Sequence, residues 1–184
     1  MKNNISKKIC VFCGSSSGKN LFYQNTVKEV GKLIGHFNYD LVFGGGNKGL
    51  MGLLAKSAHL YGANIQGVIP SFLTKIETPM NNIELTVTNT MRTRKAKMYK
   101  MSNLFLILNG GIGTLDECIE VLTLIQLKQI YQKPVLILNI DGFWEPLFKM
   151  FNKMVEEGFL KERHLKNFTE LKNIKELKTF LKSF

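Results

Sequence analysis

The junction at residues 104–117 constrains this chain more than any other stretch. The apolar run LFLIL passes directly into Asn109-Gly-Gly-Ile-Gly-Thr-Leu-Asp-Glu117. That is the pattern of a buried strand, a glycine loop, and a helix whose first turn carries Asp116 and Glu117. Glycine lets backbone approach an anion closely, and a helix start offers free N–H groups and the positive end of its dipole. A phosphate fits such a seat, and a carboxylate beside it is what hydrolysis of a phosphorylated sugar derivative uses. The pattern implies an enzyme acting on a nucleotide.

Apolar runs alternate with helical patterns along the whole chain. Strands are predicted at residues 8–12, 40–43, 65–69, 84–88, 104–108 and 134–139, with helices near 21–36, 49–61, 92–101, 114–130 and 143–157. A short strand near 168–170 and a last helix at 174–181 complete the pattern. The runs at 104 and 135 are continuously apolar, as strands covered on both faces should be. Repeated strand–helix units imply an α/β fold with a doubly wound parallel sheet and helices on both faces. With 184 residues, no linker and no internal repeat, a single domain over 1–184 is expected.

No apolar run approaches the roughly 20 residues needed to span a bilayer, so no membrane partner is expected. The N-terminus is basic (Lys2, Lys7, Lys8), but its apolar stretch at 9–12 is too short for a signal sequence. A cytoplasmic location is the expectation. The three cysteines form no disulfide framework. Cys10-Val-Phe-Cys13 has redox or zinc spacing, yet it sits on and just past a strand, and a structural zinc needs four ligands. Buried, reduced thiols are the better reading, with no metal. A net charge of +11 raises nucleic acid as a partner. Lysines spread along the chain account for most of it, however, and no aromatic-interleaved basic motif appears, so solvated helix faces explain them. Two of the only three arginines, Arg92 and Arg94, fall within seven residues. Arginine is the better planar, bidentate reader of phosphate.

Three glycine loops follow predicted strands: Gly14-Ser-Ser-Ser-Gly18, Gly44-Gly-Gly-Asn-Lys-Gly49 and Gly110-Gly-Ile-Gly113. In an open parallel sheet, ligands bind beyond the carboxyl ends of strands, where such loops gather. The second loop formally matches G-x-G-x-x-G, but the following strand ends Val68-Ile69-Pro70-Ser71 with no carboxylate for ribose hydroxyls. That argues against a hydride-transfer cofactor. The first loop lacks Walker spacing.

Glu117 also has a purely structural explanation. Thr114-Leu-Asp-Glu117 reads as a capping box, with Thr114 capping the helix and Glu117 reaching back to its N–H. Arg94 and Lys95 likewise read as a solvated basic face unless strand 84–88 runs parallel to its neighbours, which local spacing leaves open. His36, His59 and His164 have no partner at a readable spacing and are taken as structural or surface residues.

Taken together, these residues resemble the Lonely Guy family of cytokinin riboside 5′-monophosphate phosphoribohydrolases, often labelled possible lysine decarboxylases. The family pattern P-G-G-x-G-T-x-x-E is matched through Glu117, with Asn109 in place of proline, and R-K-x-x-M is matched by Arg94-Lys95-Ala96-Lys97-Met98. Gly44-Gly-Gly-Asn-Lys-Gly-Leu-Met-Gly52, Asp141-Gly-Phe-Trp144 and Glu156-Glu-Gly-Phe159 are also similar to it. The resemblance implies a Rossmann-like fold and a homodimer or higher oligomer, with active sites completed near the subunit interface. Cleavage of the N-glycosidic bond of a nucleoside monophosphate, AMP among the candidates, needs no cofactor. Arg94 and Glu117 match the family's catalytic pair. Glu77, Lys95, Gly110, Gly111, Ile112, Gly113, Thr114, Leu115, Asp116 and Thr123 are similar to positions that contact the nucleotide. Losing proline at Asn109 frees the loop backbone, which bears on affinity more than on chemistry. A non-catalytic nucleotide or molybdenum-cofactor carrier on the same fold is the alternative from another class. Lysine decarboxylation is the weakest, since it normally needs pyridoxal phosphate on a lysine that nothing here marks.

Overall fold

Among the described residues, seven strands form one sheet: β1 Lys8–Phe12, β2 Asp40–Phe43, β3 Ile65–Pro70, β4 Glu84–Thr88, β5 Leu104–Ile107, β6 Val135–Leu138 and β7 Thr169–Leu171. Their spatial order is β4-β3-β2-β1-β5-β6-β7, and every pairing is parallel. The computed structural model describes residues 7–184, so Lys2 lies outside the described residues. Six helices among these residues alternate with the strands: α1 Leu21–His36, α2 Gly49–Leu60, α3 Met91–Met101, α4 Ile112–Gln126, α5 Glu145–Glu156 and α6 Ile174–Ser183. The doubly wound parallel sheet expected from the alternation is present, and the fold is Rossmann-like, as the family resemblance implies.

Alternate strand residues feed two cores, because successive side chains point to opposite faces of a sheet. Ile9 and Val11 of β1 and Leu104 and Leu106 of β5 pack with α1, α2 and α6. Cys10, Phe12, Phe105 and Ile107 pack on the other face with Met98 and Tyr99 of α3 and Cys118 and Val121 of α4. Central strands β5 and β6 are buried at every residue, which is why both read as unbroken apolar runs. β4 lies at an edge, and its residues are exposed or half-buried.

Strand order decides where a ligand can sit. The chain winds outward from β1 through β2 and β3 to β4, then crosses back to place β5 on the other side of β1. The loops after β1 and β5 therefore diverge, opening a crevice at the carboxyl edge of the sheet. The parallel pairing of β4 with β3 settles the question left by spacing: α3 starts at that same edge.

Among the described residues, no helix is long and apolar enough to cross a membrane. Phe105, fully buried, stacks on Phe12 at 6.3 Å between ring centroids and meets Tyr99 edge-on at 5.8 Å. Phe105→Ala is therefore expected to cost about 3–5 kcal/mol, read from the shift in a urea unfolding midpoint. A loss well under 1 kcal/mol would mean that this face is not close-packed.

Candidate active site

A cleft of about 300 Å³ lies at the switch point. Cys13, Gly14 and Ser15 line it from the end of β1, and Gly44 and Met51 from the β2 connection. Leu73 and Glu77 follow β3, Met91 and Arg94 come from α3, and the start of α4 closes the far side. The Leu73 and Met91 contributions had no signal in the sequence. Cys13 and Ser15 were legible only as neighbours of a glycine.

The two helices that frame the cleft begin differently. At α3, Thr90 caps the helix, accepting from the Thr93 N–H at 3.1 Å while the Thr93 hydroxyl accepts from the Thr90 N–H. At α4, extended Gly111 is the N-cap and no side chain caps the helix. The orphan N–H groups of its first turn belong to Ile112, Gly113 and Thr114, in an exposed Gly-Ile-Gly segment. This corrects the capping-box reading of Thr114 and Glu117. The helix starts two residues earlier than predicted, because the chain becomes helical as soon as Gly111 ends. Thr114 is then already inside the first turn, packed against Gly110, where an added Cβ would fall 2.1 Å from its Oγ1. Glu117 is left to bond elsewhere.

It bonds to Arg94. Arg94 Nη1 donates to Glu117 Oε1 at 2.9 Å, and Arg94 Nε donates to the Val68 carbonyl at 3.1 Å. Both residues are buried, at 8% and 7% exposure. Burial pushes the Glu117 carboxyl above its ordinary range, although the Arg94 charge and hydrogen bond pull it down. Oε2 of Glu117 has no hydrogen-bond partner among the described residues. A buried, oriented carboxylate with one oxygen uncommitted can hold a hydroxyl or orient a water.

The second glycine loop serves this pair rather than a dinucleotide. A Cβ on Gly44 would lie 2.3 Å from Arg94 Nη2, so the guanidinium rests where a side chain would stand. Gly46 pairs with Pro79 in an isolated antiparallel bridge, and a Cβ there would lie 2.9 Å from Glu77 Oε2. The loop thus gives space to a cation and to a carboxylate at the cleft wall. The third loop differs. A Cβ on Gly111 or Gly113 would meet nothing within 4 Å, so nothing in the folded chain requires glycine there.

Asn109 is buried, and its carbonyl accepts from the Gly14 N–H at 3.0 Å, tying the first glycine loop to the third. Its Nδ2 has no partner among the described residues. The cleft gathers Arg94, Glu117, Glu77, Gly111, Ile112, Gly113, Thr114 and Asp116. Four of the expected site residues lie elsewhere, Gly110 among them, set against Thr114 and Gly14. Lys95 is drawn to Asp116 at 2.9 Å and Glu120 at 2.5 Å, and Leu115 packs against the core. Thr123 is exposed on α4 and lines a separate groove with Ile119, Phe151 and Met154. Burial, then the Glu117 charge, pushes the Cys13 thiol up, so Cys13 is an uncharged wall. All three cysteines are buried and free. Among the described residues, no group of three or more His, Cys, Asp or Glu is placed to hold a metal.

The family model described as possible lysine decarboxylase matches residues 51–180. A probable cytokinin riboside 5′-monophosphate phosphoribohydrolase of Oryza sativa subsp. japonica is 44% identical over 162 residues, covering 86% of this chain and 66% of that protein. Two cytokinin riboside 5′-monophosphate phosphoribohydrolases of Arabidopsis thaliana are 43% and 42% identical, covering 87% and 93% of this chain and 74% and 79% of theirs. Among solved structures, the molybdenum cofactor binding protein of Rippkaea orientalis superposes with a TM-score of 0.72 at 21% identity, over 97% of this chain and 96% of that one. The molybdenum cofactor carrier protein of Chlamydomonas reinhardtii gives 0.71 at 21% identity, over 97% of each chain. That likeness is one of fold. Over most of its length, at more than 40% identity to its plant relatives, this chain belongs to the possible lysine decarboxylase family that includes the cytokinin riboside 5′-monophosphate phosphoribohydrolases.

Proposed function

We propose that this protein is a hydrolase that cleaves the N-glycosidic bond of a nucleoside 5′-monophosphate, releasing free base and ribose 5-phosphate. The observation that carries the reading is the buried Arg94–Glu117 pair beside an uncapped helix start in one cleft. The names of relatives at 42–44% identity support the same reaction.

The 5′-phosphate sits at the first turn of α4, on the N–H groups of residues 112–114. The ribose then lies against Glu117. As the C1′–N bond breaks, the base leaves with the bonding electrons and gains a proton, while water adds to C1′ and loses one. Positive charge builds on the ribose in an oxocarbenium-like transition state, and the Glu117 carboxylate stabilises it or orients the water. Arg94 acts by charge and hydrogen bonding, holding Glu117 in place and drawing on the phosphate or the departing base. Glu77 faces the same cleft and is assigned to the nucleotide. The carrier alternative has only a likeness of fold behind it and gives the buried pair no task. No cofactor is part of the reaction proposed.

We also assign the active form to a homodimer or higher oligomer in the cytoplasm. Thr123 stands about 2.5 helical turns beyond Thr114, outside its own chain's cleft, and is assigned to the nucleotide of a neighbouring copy. Sedimentation equilibrium should then give a multiple of 20.9 kDa, whereas a monomer mass at assay concentration would remove Thr123 from the site.

Incubation with AMP and with isopentenyladenosine monophosphate should release free base, followed by chromatography. Glu117→Gln should lower kcat by about a hundredfold or more. Protonating Glu117 should have the same effect, so wild-type kcat should fall on the acid side at a pH above the ordinary 4.5 of a carboxyl, because burial raises it. Full activity in Glu117→Gln, or an acid limb below that value, contradicts the role. Gly113→Ala separates ligand from fold. A methyl there meets open space and favours the helix, so it should stabilise the protein by about 0.5–1 kcal/mol. The same methyl should weaken turnover by crowding the phosphate. Unchanged turnover would mean that the anion does not approach this backbone.

A further inference from the structure

We propose that Glu120, together with Tyr99, is a positioning residue that draws Lys95 off the cleft and so fixes the Arg94–Glu117 pair. The inference rests on the hydrolase reading and concerns a residue outside the cleft.

Four polar contacts join α3 to α4 as a ladder. Arg94 pairs with Glu117, and its neighbour Lys95 pairs with Asp116, the neighbour of Glu117. One turn further along both helices, Glu120 Oε2 takes Lys95 Nζ at 2.5 Å and accepts from the Tyr99 hydroxyl at 2.8 Å. Residues four apart share a helix face, so Lys95 and Tyr99 on α3 oppose Asp116 and Glu120 on α4. Tyr99 is itself fixed from beneath, edge-on to Phe12 and Phe105 in the buried core. Glu120 therefore ties α4 to the buried aromatic core on this face of the sheet.

The ladder also settles a competition. Lys95 adjoins Arg94 in sequence, and its flexible ammonium is a rival for the Glu117 carboxylate, one oxygen of which is uncommitted. Two carboxylates on the far rungs hold it instead. Burial pushes the Lys95 ammonium down, but the hydrogen bonds to Glu120 and Asp116 outweigh it, so it stays charged and engaged. Burial, then the Glu120 hydrogen bond, pushes the Tyr99 phenol up, so it keeps the proton it donates.

The test uses the full chain. Glu120→Gln should lower kcat about tenfold or more through misplacement of the pair, with KM for AMP changed less than about twofold. Tyr99→Phe should act in the same direction by less. Because Glu120 works through Lys95, the Lys95→Gln/Glu120→Gln double variant should be no slower than Lys95→Gln alone. A crystal structure of Glu120→Gln should show Arg94 Nη1 and Glu117 Oε1 separated beyond hydrogen-bond reach, about 3.5 Å. The proposal is overturned by an unchanged kcat, by a rise in KM alone, by additive losses in the double variant, or by an intact pair in that crystal. Absence of base release by the wild type would sink the hydrolase reading on its own, and the crystal would still decide this one.

Discussion

The Arg94–Glu117 ion pair joins α3 to α4 with both residues more than nine-tenths buried, and burying two charges works against folding. Each ion loses hydration worth several kcal/mol, which their attraction offsets only with good geometry. Here the geometry is good: one charge-assisted bond at 2.9 Å, with the guanidinium braced on the Val68 carbonyl. Even so, burial leaves the Glu117 carboxyl above its usual range. Removing either partner from such a pair typically costs about 3–5 kcal/mol, while a well-packed apolar pair would fold as well. Perturbed, paired groups of this kind mark clefts that perform chemistry.

Much of the surrounding sequence is explained by what that pair and its ligand need. Gly44 and Gly46 are small because Arg94 and Glu77 occupy the space beside them. Gly110 is small because Thr114 packs against it. Gly111 and Gly113 answer to no neighbour in the fold, and open space over free N–H groups is what a phosphate needs. One residue type thus does two jobs, making room within the protein in one loop and leaving open space over helix N–H groups in another. The parallel order of the sheet brings both loops to one edge.

The elements were legible because each carries its own periodicity. β1, β2, β4 and α1 fall at the predicted bounds, and the buried central strands show as apolar runs. What escaped was set by contacts distant in sequence. The Thr114–Glu117 spacing matches a capping box, yet Arg94, 23 residues away, takes the carboxylate. Lys95 matches a nucleotide-binding position, and nothing in its spacing shows that Glu120 and Asp116 pair with it. The glycines of residues 44–49 formally match a dinucleotide fingerprint, and spacing does not reveal that Arg94 and Glu77 fill the space beside Gly44 and Gly46. Leu73 and Met91 reach the cleft through the path of the chain between β3 and α3, which no local pattern encodes.

The central claim is that a ribose phosphate docks with its anion on the first turn of α4 and its sugar against Glu117. A crystal structure of the Glu117→Gln protein soaked with AMP measures this directly. The account predicts phosphate oxygens within hydrogen-bond distance of the Gly113 and Thr114 N–H groups, with C1′ facing residue 117. A phosphate seated instead on the loop at residues 44–49, or a ribose turned away from residue 117, would contradict it.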